Sequence, residues 1–209
     1  MTKYAKLTVG LIAAWFVFSI AASALHLYQN APNNPPLPLG LAALVPLLVF
    51  GVWFGASAKF REFTMSLNPR ALTIVQSWRL AGFVFLVLAT YGILPKAFAL
   101  PAGWGDMFIG ATAVLVAWKL SMPEHRRIFL LWQVLGMIDL VMAVTLGTLA
   151  QVLDPNGIPT SAMTILPLSM IPTFAVPLLM ILHTICIAKA RRWPAPQSTV
   201  GKHSLSPAA

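Results

Sequence analysis

Three charged side chains, Arg79, Asp106 and Asp139, stand inside long apolar runs of the chain. A charge at the centre of a bilayer costs about 2.5–3.5 kcal/mol on insertion scales, so such groups are expected to face protein and to be paired. One guanidinium between two carboxylates pairs both of them and leaves one negative charge over. A proton, or a cationic or polar ligand, would neutralise that remainder. Gln76 lies three residues before Arg79, on the same helical face; Gln133 shares the apolar run of Asp139, and His183 falls in a further one. These six residues are the candidate binding site: Arg79, Asp106, Asp139, Gln76, Gln133 and His183.

Other chemistries find no support in the spacing. His-x-x-x-His and Glu-x-x-His pairs are absent, so no zinc or di-metal set is expected. Cys186 is the single cysteine, which excludes an internal disulfide and a thiolate metal site. His26 and His183 fall near opposite ends of their segments and cannot ligate one haem iron; no cofactor is indicated. There is no Gly-x-Ser-x-Gly, no Walker-type loop and no dinucleotide fingerprint.

The elements that must position the cluster follow from composition. Of 209 residues, 9% are charged and 58% hydrophobic, against roughly 25% charged in a soluble domain. Nineteen charged side chains (14 basic, 5 acidic) cannot cover the surface of a soluble domain. Leu7 to Ala58 runs for 52 residues without a charge. Disorder, a disulfide scaffold and a nucleic-acid module are excluded, and an all-α polytopic membrane bundle remains. The bilayer itself is then the first partner.

A membrane helix needs about 20 mostly apolar residues. Six segments supply them: Leu7 to Tyr28, Leu39 to Ala58, Ala71 to Leu94, Gly103 to Met122, Ile128 to Ala150 and Ile165 to Ala188. The connections carry the breakers: Asn30 to Pro38, Pro95 to Pro101, Pro123 to Arg127, and Asp154-Pro155-Asn156-Gly157. Cations set the orientation. Lys3, Lys6, Lys59, Arg61, Arg70, Lys119, Arg126, Arg127, Lys189, Arg191, Arg192 and Lys202 all fall on one side, and Lys96 alone on the other. Six spans with both termini cytoplasmic satisfy that count, in a plasma membrane or the inner membrane of a Gram-negative cell. Residues 1–190 form the bundle and 191–209 a basic, disordered tail drawn to the anionic leaflet. The first segment has a rival reading. Its basic start and Ala22-Ser23-Ala24 resemble a secretory signal with its cleavage site. The apolar run continues to Leu27, which favours an uncleaved anchor; cleavage would leave five spans.

Depth along each segment follows from a rise of 1.5 Å per residue. Arg79 is nine residues from Arg70, roughly 13 Å in, while Asp106 and Asp139 are thirteen and twelve residues from Lys119 and Arg127, roughly 18–20 Å in. The carboxylates share a level that an upward-pointing arginine reaches. Both aspartates sit in Gly-x-x-Asp-x-x-x-small stripes (Gly103, Asp106, Gly110, Ala113 and Ala117; Gly136, Asp139, Ala143 and Gly147), which let helices approach closely. The fourth and fifth segments are therefore expected to pack on each other or on the third. Pro167, Pro172 and Pro177 recur every five residues and predict a sixth helix bent or partly unwound in its outer half. Trp118 and Trp132, near basic helix ends, read as interface anchors, and Trp78 as a lipid-facing side chain.

Three functions fit. The first is a carrier or channel-like protein for protons or a small polar solute, with the cluster as its midplane site. The second is a membrane-embedded enzyme acting on a lipid or isoprenoid, with the aspartates as acid and base. The third is an assembly or structural subunit whose cluster only fixes helix pairing.

Overall fold

The computed structural model describes residues 3–29, 37–154 and 156–194. The expected turn around Asn30 to Pro36, Pro155 of the second turn signal, and the tail from residue 195 onward lie outside those residues. The fold is all-α. Its helices are α1 (Lys3–Ala24), α2 (Leu37–Ala56), α3 (Ala58–Ser66), α4 (Pro69–Val75), α5 (Phe83–Thr90), α6 (Lys96–Lys119), α7 (Arg126–Leu153) and α8 (Val176–Arg191). A 3-10 segment, Gln76–Gly82, joins α4 to α5 without a break, and a π turn, Ile171–Ala175, leads into α8. Six helical stretches are long and apolar enough to cross a membrane, the third running from Pro69 to Thr90 through the 3-10 segment.

The elements depart from the expected boundaries most clearly in two places. The fourth starts at Lys96 rather than Gly103, because Pro95 sits at the helix cap and Pro101 is accommodated inside the helix. The stretch from Pro95 to Pro101 is therefore mostly helix, not loop. A further short helix, α3, fills the connection after α2, capped by the Ser57 hydroxyl, which accepts from the Phe60 N–H at 3.2 Å. Two cations cap carbonyls in this region. Arg61 donates to Phe54 O and Gly55 O at the end of α2, and Lys189 of α8 donates to Met65 O and Leu67 O at the end of α3. Satisfying the free carbonyls of a helix end is what basic side chains do well at that position.

The sixth element is irregular in its first half, as its prolines predict. Residues 165–169 form a bend and turns, the π turn follows at Ile171–Ala175, and the regular helix α8 begins at Val176. Pro177 has no N–H, so the carbonyl four residues earlier, Thr173 O, loses its helical donor. The indole of Trp15 supplies one instead, with Nε1 donating to Thr173 O at 3.1 Å. Ser169 donates to Ser23 at 2.8 Å along the same seam, where α1 buries Ser19, Ala22 and Ser23. Trp15→Phe keeps the ring and removes the donor. It is expected to destabilise the protein by about 1–3 kcal/mol, the cost of an unsatisfied buried carbonyl, read as a lower unfolding temperature in detergent.

Two apolar layers sandwich the polar residues. One holds Phe85, Leu94, Phe98 and Met163; the other holds Ile109, Val116, Phe129 and Trp132. The middle of the Pro69–Thr90 stretch, of α6, of α7 and of α8 lies between them. Trp132 is thus no interface anchor. It is buried, because its Nε1 donates to Thr112 Oγ1 of α6 at 2.9 Å. Trp118 is exposed, and Trp78 at 73% exposure points away from the cluster.

Candidate functional site

The 3-10 segment sets the geometry. With three residues per turn, side chains three apart eclipse one another. Gln76, Arg79 and Gly82 therefore stack in one row, and all three are buried. Thr73 before them and Phe85 after them are buried at the same spacing. The row faces α6, which comes close enough at Gly110 that a Cβ there would strike the backbone of Leu80 and Arg79. A larger residue would hold the two elements apart, and Arg79 away from the carboxylates.

Arg79 bridges both aspartates. Its Nε donates to Asp106 Oδ1 at 2.6 Å, and its Nη2 donates to Asp139 Oδ2. Nη1 donates to the Gly136 carbonyl at 3.1 Å and faces His183 Nε2 at 3.4 Å. The side chains of Arg79, Asp106 and Asp139 are 1%, 15% and 10% exposed. The expected juxtaposition of the third, fourth and fifth segments is met. Each carboxylate commits one oxygen to the guanidinium; Asp106 Oδ2 and Asp139 Oδ1 have no hydrogen-bond partner among the described residues.

From Arg79 a single chain of hydrogen bonds runs toward Pro69. The guanidinium only donates, so His183 Nε2 must accept and the proton of the neutral ring sits on Nδ1. His183 Nδ1 donates to Gln133 Oε1 at 2.5 Å; Gln133 Nε2 donates to Thr73 Oγ1 at 3.1 Å; and Thr73 Oγ1 donates to Pro69 O at 2.8 Å. Every link points the same way. His183 and Gln133 are fully buried, and Gly136 gives the imidazole its room, since a Cβ there would collide with the ring.

Of the six sequence-predicted residues, five join this network. Gln76 does not. Its Nε2 donates to Leu179 O of α8 at 3.3 Å, and its Oε1 has no partner among the described residues. Thr73 and the Gly136 carbonyl were not anticipated. The recurrence of polar or small residues every third position from Thr73 to Gly82 was the signal for Thr73.

On the other side of Asp106 lies a cavity of about 430 Å³ between α2 and the α5, α6 and α7 walls. Its walls are almost wholly apolar, with Phe85, Phe98, Leu140 and Met163 among them, and among the described residues Asp106 is the one charged residue that lines it. No three His, Cys, Asp or Glu side chains converge among the described residues.

A family model described as a domain of unknown function, DUF8737, matches residues 34–191. The chain belongs to this family. No curated protein and no solved structure matches it. The DUF8737 stretch contains the whole Arg79 network and the cavity, together with α2 through α8; α1 precedes it.

Proposed function

We propose that this DUF8737 chain is a multi-pass protein of the plasma membrane, or of the inner membrane in a Gram-negative cell. In this reading it crosses six times with both termini cytoplasmic, and it works as a carrier or channel-like protein for protons or a small polar solute. Arg79, Asp106 and Asp139 are the binding centre, with His183 facing the guanidinium and Gln133 holding His183 in place. The observation that carries this reading is the charge count at a buried place. Two carboxylates share one guanidinium, and an uncompensated buried charge costs several kcal/mol. A counter-cation relieves that cost, and each carboxylate keeps an oxygen free to take one. The seam that α1 forms with the π turn supports an uncleaved first helix.

Asn in place of Asp keeps an acceptor oxygen for Arg79 and removes the charge. Asp106→Asn and Asp139→Asn are therefore expected to keep the folded yield in detergent. Each should cut proton uptake into proteoliposomes, followed with an internal pH-sensitive dye, about tenfold or more, equivalent to about 1.4 kcal/mol. Wild-type flux per folded molecule in both variants would reduce the cluster to the glue of a structural or assembly subunit. The apolar cavity beside Asp106 favours a second reading, an enzyme acting on a lipid or isoprenoid. Lipid extracts of a deletion strain would then contain an accumulated precursor.

A further inference from the structure

We propose that the cavity between α2 and the α5–α7 walls binds a single-chain amphiphile whose protonated primary amine docks on Asp106. The inference rests on reading the Arg79 cluster as a binding centre with one negative charge unbalanced, and it adds an amphiphilic amine to the proton or small polar solute of that reading.

Three observations converge on it. The first is shape and lining. A cavity of about 430 Å³ walled by Phe85, Phe98, Leu140 and Met163 has the size and apolar character of small-molecule sites. The second is its single charged group among the described residues. Asp106 lines the cavity, places Oδ1 on Arg79 and leaves Oδ2 unbonded among the described residues. A primary ammonium brings three N–H donors and the one positive charge that the cluster lacks. A carboxylate or phosphate head would instead meet a like charge, and an alcohol would leave the surplus uncompensated. The third is the wall itself. Helix α2 buries none of its residues, yet Leu37, Leu41 and Leu44 close one side of the cavity. The π turn supplies Ile171 and Pro172 at the rim, and π turns recur at functional sites because they set local backbone apart from the regular helix. A loosely packed wall gives an apolar chain a lateral way in.

The test is photolabelling of the full-length protein in phosphatidylcholine vesicles with a diazirine-bearing hexadecylamine, mapped by mass spectrometry. Labelling is expected to saturate, to fall on α6 and α7 residues that face the cavity, and to be displaced by hexadecylamine. Hexadecanol, palmitate and hexadecyltrimethylammonium, which lack either the charge or the N–H donors, should need about tenfold more to displace it. Asp106→Asn should erase that preference. Ala143→Phe and, separately, Thr148→Trp fill the cavity away from Arg79 and should each abolish the label; two positions guard against one variant failing to fold. Non-saturable labelling, equal displacement by all four amphiphiles, or label confined to outward residues such as Trp104 and Leu115 would overturn the site. Proton uptake measured on the same vesicles separates the two ideas. Saturable amine labelling with uptake unaltered in Asp139→Asn removes the proton reading alone, whereas lost uptake without saturable labelling removes the amine site alone.

Discussion

Arg79→Gln is expected to cost about 3–5 kcal/mol of stability, enough to remove most of the monodisperse protein from a detergent extract. Asp106 and Asp139 would then face each other with no counter-charge, in a place where their side chains are 15% and 10% exposed. The Gly136 carbonyl and His183 Nε2 would lose their donor in the same step. Most of that loss comes from what Arg79 leaves behind. The prediction therefore has a second half: Arg79→Gln placed in an Asp106→Asn/Asp139→Asn background should recover most of the folded yield, because no charge remains to be stranded. Arg79→Lys should fall between, since a point charge with a tetrahedral head cannot span two carboxylates as a planar fork does. Unfolding temperatures of the parent, Arg79→Gln, Asp106→Asn/Asp139→Asn and the triple variant form a thermodynamic cycle, with size-exclusion profiles as the check on folding. An Arg79→Gln protein as stable as the parent would show that the ion pairs contribute nothing, and the cluster would lose its place as organiser of the bundle.

The triad was legible because electrostatics leaves few options for a charge in an apolar helix: Arg79, Asp106 and Asp139 had to find each other, and common depth made that possible. The small-residue stripes told which helices meet, as Gly110 against the Arg79–Leu80 backbone and Gly147 against Phe98 of α6 bear out, whereas Gly136 makes room for His183 of α8, a contact the stripes did not foretell. The prolines of the sixth element announced its unwound half, since a missing N–H is a property of the residue itself. Three things were hidden. The switch from α to 3-10 winding at Gln76 changes the pitch but not the composition of an apolar run, so the sequence places Gln76 and Arg79 on one helical face without extending the row to Thr73 and Gly82. Helix α3 is short and polar, and its cap at Ser57 looks the same in a loop. Trp132 lies near the basic start of α7, where anchors are common, and only the position of Thr112 on α6 shows that it turns inward. The cavity belongs to the same class, because it arises from how loosely α2 meets residues far away in sequence.

Gly110→Ala tests the close approach on which the cluster depends. In an exposed helix the change would stabilise by up to about 1 kcal/mol through backbone entropy. Here the new methyl meets Leu80 N and the Arg79 carbonyl carbon, which are backbone atoms and cannot rotate aside. Forcing an extra methyl into such a contact costs about 1–3 kcal/mol, so the net sign is destabilising. The 3-10 segment should also be pushed off α6 one helical turn from Asp106, lengthening the bond from Arg79 Nε. Both effects should appear together, as a lower unfolding temperature and as reduced proton uptake per folded molecule. Gly51 and Gly55 provide the control, because a Cβ at either meets nothing within 4 Å. Alanine there should leave stability unchanged or slightly raised, and uptake untouched. If Gly110→Ala behaves like Gly51→Ala, α6 does not press on the Arg79 backbone. The carboxylate of Asp106 then has to be held by something other than helix contact.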